Sequence, residues 1–235
     1  MKIALLGYGK MGKVIERIAV ERGHKIVLRK SAATSFDGLH NAQVAIDFSI
    51  PDAAVANISE CLNNGIPVIS GTTGWLTEYN QMVTLCEKKN GAFIYGSNFS
   101  LGVNIFFEIN QHLAKIMSQF TEYKIGIEEI HHTQKLDSPS GTAISLANGV
   151  IENSAYSGWT SQTDTNNESG EIPINALRIE NIPGTHTVIY NSDIDSIEIK
   201  HTAHNREGFA LGALIAAEWL VGKTGVYTMK DVLNL

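Results

Sequence analysis

The run Glu129-Ile130-His131-His132-Thr133-Gln134-Lys135-Leu136-Asp137-Ser138-Pro139-Ser140-Gly141-Thr142-Ala143 sets two imidazoles and an ammonium beside a helix start. Imidazoles exchange protons near neutral pH, and a helix start with a neighbouring cation holds carboxylates or phosphates. Ser138 is a favoured N-cap, Pro139 suits the first helical position, and Ala143, Ile144, Ala147 and Val150 keep a helical apolar spacing. The first turn therefore offers free backbone N–H groups at the positive end of the helix dipole. Gly141 lets a ligand approach the backbone, Ser140 and Thr142 add hydroxyls, and Lys135 adds a full positive charge.

The strand that must position these groups spans residues 123–130, with Tyr123, Ile125 and Ile127 on one face and Lys124 and Glu128 on the other. His131 and His132 fall at its end. Consecutive residues of an extended chain point to opposite sides, so one imidazole faces the anion site and the other supports the backbone or the far face. The spacing alone leaves open which is which.

A second constellation lies at the N-terminus. A short apolar strand, Lys2-Ile3-Ala4-Leu5-Leu6, runs into Gly7-Tyr8-Gly9-Lys10-Met11-Gly12 and a helix over about 11–22. That is the dinucleotide fingerprint in its strand-turn-helix setting: Gly7 for the tight turn, Gly9 for the close pyrophosphate, Gly12 for helix-on-strand packing. A second strand over 25–28 ends in Arg29-Lys30, where an acidic residue would grip a ribose hydroxyl. A basic pair there favours a 2′-phosphate, hence NADPH with NADH as the alternative; solvated loop cations are the competing reading.

Further strands at 44–48, 67–70 and 92–95 alternate with helices at 51–63 and 76–89, the pattern of a right-handed parallel α/β sheet. Their ends carry Ser49-Ile50-Pro51, Gly71-Thr72-Thr73-Gly74 and Ser97-Asn98-Phe99-Ser100, candidate walls of a nicotinamide pocket, though plain turn chemistry accounts for each equally well. After Gly102 the pattern changes. A helix over 103–117, the 123–130 strand, the anion-site helix, a Ser/Thr/Asn-rich loop over 153–170, and strand-like runs at 176–179, 185–190 and 196–201 argue for an α+β domain. The apolar helix over 208–222 is expected to return to the first domain. The expected division is residues 1–101 and 207–235 as a Rossmann-like nucleotide domain, and 102–206 as a substrate-binding and oligomerisation domain with an open mixed sheet and a hinge near each crossing.

Eighteen basic against 24 acidic residues, net charge −6, with no basic run, exclude binding along nucleic acid or an anionic membrane surface. Cys61 and Cys86 sit in apolar helical patterns without metal or disulfide spacing, and no segment is long enough to be a signal peptide or a membrane span. A cytoplasmic enzyme without a metal is expected.

Taken together, the Gly7 to Gly12 fingerprint, Asp47-Phe48-Ser49, Gly71-Thr72-Thr73-Gly74, Asn98-Phe99-Ser100-Leu101-Gly102-Val103-Asn104, the Glu129 to Ala143 run and Pro183-Gly184-Thr185-His186 resemble the dihydrodipicolinate (4-hydroxy-tetrahydrodipicolinate) reductase family over essentially the whole chain. The resemblance implies an NAD(P)H-dependent reductase of a cyclic imine dicarboxylate in diaminopimelate and lysine synthesis, assembled as a homotetramer through the substrate-domain sheets. It also implies His131 as the acid/base residue, Lys135 as the substrate-binding cation and a proton donor, and His132, Ser140, Gly141 and Thr142 as carboxylate ligands. The nucleotide would be held by Gly7, Tyr8, Gly9, Lys10, Met11, Gly12, Arg29, Phe48, Ser49, Gly71, Thr72, Thr73, Ser97, Asn98 and Phe99. Another dehydrogenase of a small amino or keto acid and a non-catalytic nucleotide sensor are the rival readings. The chain departs from the family pattern at Thr133-Gln134, where Arg-His is usual, at Glu180, where glycine is usual, and in its short connection between the second and third strands.

Overall fold

A computed structural model describes residues 1–161 and 170–235. The chain divides into two compact units, Met1–Leu101 with Glu207–Leu235, and Gly102–Arg206. In the first, β1 (Lys2–Leu6), α1 (Lys10–Glu21), β2 (Lys25–Lys30), β3 (Val44–Asp47), α2 (Pro51–Asn63), β4 (Val68–Ser70), α3 (Tyr79–Lys88) and β5 (Ala92–Tyr95) alternate as the apolar pattern predicts. β1 shows why both sheet faces are covered. Ile3 and Leu5 point into one buried cluster, Ala4 and Leu6 into another, so the strand is apolar throughout instead of alternating with polar residues.

The second unit carries α4 (Leu101–Met117), β6 (Lys124–His131), α5 (Gly141–Ile151), β7 (Gly158–Thr160), β8 (Glu171–Arg178), β9 (Gly184–Asn191) and β10 (Ser196–Ala203). Its sheet runs β10-β9-β6-β8-β7. The β9 pairings to β6 and β10 are antiparallel, and those of β8 to β6 and β7 are parallel, which makes the sheet mixed. Ile125 and Ile127 of β6 pack with Ala143, Leu146, Ala147 and Val150 of α5, so this face of the strand is held against the helix. Two expectations change here. Part of the 153–170 loop forms β7, while residues 162–169 lie outside the described residues. β8 also begins five residues earlier than the 176–179 run, passing through Pro173, a residue that cannot donate to a ladder and so hid the strand in the sequence.

The chain then returns as α6 (Glu207–Leu220), β11 (Gly225–Tyr227) and α7 (Met229–Leu233) to complete the first unit. β11 adds to β5, giving the all-parallel order β11-β5-β4-β3-β1-β2. α6 joins the cluster of Ile3, Leu5, Val44 and Ile46, and at Gly212 its backbone comes so close to residue 99 that a Cβ would stand 1.7 Å from the Phe99 carbonyl oxygen. The architecture is a Rossmann-like parallel sheet plus a second α+β unit. Among the described residues no helix is long and apolar enough to cross a membrane.

Candidate active site

In the first unit the strand order reverses between β1 and β3, and the crevice beyond their carboxyl ends is where such sheets bind ligands. The Gly7 turn follows β1 there, and Phe48-Ser49 follows β3. Gly7 has φ +96°, and a Cβ on it would lie 2.1 Å from the Phe48 carbonyl oxygen. A Cβ on Gly12 would lie 2.4 Å from the Gly7 carbonyl oxygen, whereas at Gly9 nothing stands within 4 Å. Gly7 and Gly12 thus close the turn, and Gly9 keeps an open cradle. The residues fit a dinucleotide pyrophosphate.

Behind the turn lies a polar knot that holds the neighbouring loops. Asp47, fully buried, accepts from the Ser49 and Ser70 hydroxyls at 2.7 Å each, from Thr72 Oγ1 at 2.8 Å and from Asn57 Nδ2 at 2.9 Å. Burial pushes its carboxyl up from the usual range, with the four hydrogen bonds opposing. Gly71 lets the Phe48 ring lie against the backbone, since a Cβ would meet that ring at 2.3 Å. Phe99 is buried in the core and tilted against Phe48 at 5.8 Å, so its ring supports the loop rather than facing outward. Lys10, Thr73 and Ser97 are exposed, and Met11 and Asn98 are partly so.

β2 runs two residues past the expected end at 28 and takes in Arg29 and Lys30, and neither cation stands alone. Arg29 Nε donates to both oxygens of Glu16 at 3.0 and 3.1 Å, its Nη2 also bonds Glu16 Oε1, and its guanidinium lies 5.9 Å from the Tyr8 ring centre. The Tyr8 hydroxyl donates to the same carboxylate. Lys30 turns instead to the carbonyls of Ser31 and Thr34, over the Phe36 ring.

The second site grows from the parity of β6. Ile125, Ile127, Glu129 and His131 are buried in alternation, so Glu129 and His131 share the face that meets α5. The Glu129 carboxylate accepts the Ser140 N–H at 3.0 and 3.1 Å and Arg178 Nη2 at 3.2 Å. His131 Nδ1 and His186 Nε2 stand 3.4 and 3.6 Å from Glu129 Oε2, and the two rings meet edge to face at 4.9 Å. Ser140 Oγ caps α5 by accepting from Ala143 N at 3.2 Å and contacts His186 Nε2 at 3.1 Å. The cap is therefore Ser140, not Ser138, and Pro139 precedes the helix, because Glu129 anchors residue 140 in an extended conformation just ahead of the first turn. Ser140 and Ala143 have their N–H groups engaged. Gly141 and Thr142 supply the orphan donors of that turn, and a Cβ on Gly141 would meet nothing within 4 Å.

Lys135 is partly buried and binds both oxygens of Asp137 at 2.7 and 2.8 Å. Arg178 Nη2 also donates to the Asp137 carbonyl at 2.7 Å, which ties the Lys135 loop to Glu129 through a single guanidinium. His132 is partly buried, and Glu180 is exposed. Glu129, Arg178 and His186 had no role assigned from the sequence, although the β6 alternation places Glu129 beside His131.

Burial alone would raise the Glu129 carboxyl, but hydrogen bonds from His186 and Ser140 outweigh it and hold the group at about 2. Burial, then the neighbouring His186, push His131 down to about 4 against the pull of Glu129. His131 is neutral at pH 7. Glu129, His131 and His186 offer ligand atoms within 4.8 Å of one another, a spacing open to a metal ion. The arginine and the Ser140 N–H already on that carboxylate favour a hydrogen-bonded network instead.

These shifts have the same sign, since both groups bind a proton less readily in the folded protein, and they have the same consequence. His131 takes up a proton at 6.5 when unfolded and at about 4 when folded, so stability falls as pH drops through that window, by about 3 kcal/mol at about 1.4 kcal/mol per unit. Glu129 contributes stability that is present above 4.5 and lost as pH falls toward about 2. Urea unfolding at pH 7 and pH ~4.5 should therefore show a smaller loss for His131→Gln than for the parent, by about 2 kcal/mol. Equal losses would contradict the buried, neutral imidazole.

A glycine turn at the switch point of a parallel sheet, joined in one chain to a buried carboxylate-imidazole cluster at a helix start, defines the class: a pyridine-nucleotide-dependent oxidoreductase. The sequence profile of the dihydrodipicolinate reductase N-terminus matches residues 23–99 and that of its C-terminus residues 102–233. The chain belongs to the dihydrodipicolinate reductase family. It is 57% identical to a 4-hydroxy-tetrahydrodipicolinate reductase of Christiangramia forsetii, covering 100% of this chain and 98% of that one. Against the enzyme of the same name from Thermosipho africanus the identity is 35%, with the same coverage of each chain. The fold is shared with a dipicolinate-bound dihydrodipicolinate reductase from Paenisporosarcina sp. TG-14, at TM-score 0.77 and 19% identity over 98% of each chain.

Proposed function

We propose that this protein reduces 4-hydroxy-tetrahydrodipicolinate, with loss of water, to tetrahydrodipicolinate in diaminopimelate and lysine synthesis, using NADPH in preference to NADH. The observation that carries this reading is the Glu129-His131-His186-Ser140 cluster at the start of α5 in a chain 57% identical, end to end, to a reductase of that name.

The first unit is the nucleotide domain. Gly7, Tyr8, Gly9, Lys10, Met11 and Gly12 cradle the pyrophosphate, Arg29 meets the 2′-phosphate, and Phe48, Ser49, Gly71, Thr72, Thr73, Ser97, Asn98 and Phe99 form or brace the nicotinamide end. The bound nucleotide supplies the hydride. The second unit is the substrate and oligomerisation domain. Gly141 and Thr142 donate their backbone N–H groups to a substrate carboxylate, with His132 and the Ser140 turn beside them. Lys135 adds its charge after exchanging Asp137 for the substrate, and its ammonium protons make it a donor to the reduced ring. His131, neutral and packed between Glu129 and His186, exchanges a proton at that ring. Exposed Ile194 and Ile197 support assembly through this unit's sheet, as a homotetramer, and the enzyme works in the cytoplasm.

The test is oxidation of NADPH followed by absorbance, with the aldehyde-condensation product of the preceding enzyme as substrate. No substrate-dependent oxidation would reject the reading. Arg29→Glu is expected to weaken NADPH binding relative to NADH by about 1.5 kcal/mol. That is the low end for a charge-assisted hydrogen bond, because the Arg29 side chain is 46% exposed and already shared with Glu16. Equal weakening of both nucleotides would remove Arg29 from the phosphate site.

A further inference from the structure

The expected grip on a 2′-phosphate rests on Arg29, and the structure gives that guanidinium a carboxylate partner from a different element. Glu16 lies in the second turn of α1, and both of its oxygens are engaged: Oε1 by Nε and Nη2 of Arg29, Oε2 by Nε of Arg29 and by the Tyr8 hydroxyl. The Glu16 side chain is only 18% exposed against 46% for Arg29, so the acid is the fixed member and the arginine the accessible one. Glu16 approaches from the Nε side, which leaves Nη1 of Arg29 directed elsewhere. The carboxylate thus sits beside the strand end where dinucleotide folds recognise the adenosine ribose, a place at which an acid favours a free 2′-hydroxyl and opposes a phosphate. This chain has the acid on the helix and the base on the strand.

We propose that Glu16 is a nucleotide-specificity residue: holding Arg29 from its Nε side, it cancels part of the charge offered to a 2′-phosphate and narrows the preference for NADPH over NADH. The inference rests on the nucleotide site described under the proposed function. A 2′-phosphate that reaches the open Nη1 edge of Arg29 meets the repulsion of the Glu16 carboxylate nearby, whereas NADH places only a neutral 2′-hydroxyl there. The Tyr8 hydroxyl holds the acid in place, so it cannot swing away to relieve that repulsion at no cost.

The experiment is direct binding to the protein without substrate, by calorimetry or fluorescence quenching, using NADPH, NADH, 2′,5′-ADP and 5′-AMP with the parent, Glu16→Gln and Glu16→Ala. Glutamine keeps the shape and a hydrogen-bond acceptor while removing the charge. Glu16→Gln is expected to tighten NADPH and 2′,5′-ADP by about five- to tenfold at low salt, with the gain shrinking as ionic strength rises, and to move NADH and 5′-AMP by less than about twofold. Glu16→Ala should shift the ratio in the same direction. An unchanged NADPH to NADH ratio in both variants would overturn the proposal, as would a loss of NADPH affinity, which would make Glu16 a brace that Arg29 needs. A parent protein that binds both nucleotides with the ratio unmoved in the variants would refute the role of Glu16 alone. A parent that binds neither would refute the nucleotide site as well.

Discussion

Replacing His131 by alanine is expected to lower kcat by about a hundredfold or more while the dissociation constants of the nicotinamide nucleotides stay within about twofold. The separation follows from placement: His131 ends β6 in the second unit, and every residue assigned to the nucleotide lies in the first. His131 is 7% exposed, and its ring has Glu129 Oε2 at 3.4 Å, His186 edge-on and Gly184 beside it, so packing confines it. An imidazole that is neutral at pH 7 can accept a proton there but is not the standing acid. Lys135→Ala should therefore differ in kind, lowering kcat/KM with a raised KM as well, because it removes a charge from the bound dicarboxylate. Steady-state kinetics across the pH range, with circular dichroism to confirm folding, would check both. A folded His131→Ala protein that turns over at the parental rate at every pH would reject the assignment and pass the role to His132.

Gly212→Ala is expected to destabilise the protein by about 4 kcal/mol or to abolish soluble expression. On helix propensity alone the change would stabilise by about 1 kcal/mol, since alanine is the better helix former. Packing decides the sign. The new methyl would stand 1.7 Å from the Phe99 carbonyl oxygen and 2.8 Å from its carbon, and both atoms are main chain, with no rotamer to escape into. Gly208→Ala, earlier on the same helix, is the control: its Cβ would meet only the Ser100 hydroxyl, at an ordinary 3.5 Å. Thermal unfolding should place Gly208→Ala at or above the parent and Gly212→Ala far below. A Gly212→Ala midpoint equal to the parent's would show that α6 does not pack as described.

What could be read in the sequence was whatever repeats locally. The alternation of strands and helices before Gly102 and the fingerprint at Gly7 to Gly12 need only neighbours in the chain, and α2 and β5 run over the residues their apolar patterns mark. The cap of α5 was misplaced by two residues because the deciding contact, Glu129 to the Ser140 N–H, spans eleven positions and two elements. The partner of Arg29 was hidden for the same reason, since Glu16 meets it from a helix across a loop. The burial of His131 was within reach: carried two steps further, the alternation of Ile125 and Ile127 puts Glu129 and then His131 on the apolar face. A buried carboxylate on that face is a signal in itself, because it must find donors there. β11 and α7 left too little apolar pattern for recognition, each being short.

The first unit is built from both ends of the chain, with the whole second unit inserted between Leu101 and Glu207. During synthesis the β1 to β5 sheet leaves the ribosome with the cluster of Ile3, Leu5, Val44 and Ile46 holding α1 but still lacking α6, which is translated only after the second unit is complete. The inserted unit is thus free to fold first, and the Rossmann-like sheet waits for the final residues, exposed to chaperones and proteases in the interval. A chain that ends before residue 207 therefore lacks α6, β11 and α7 together, and the first unit loses part of its core however intact the glycine turn is.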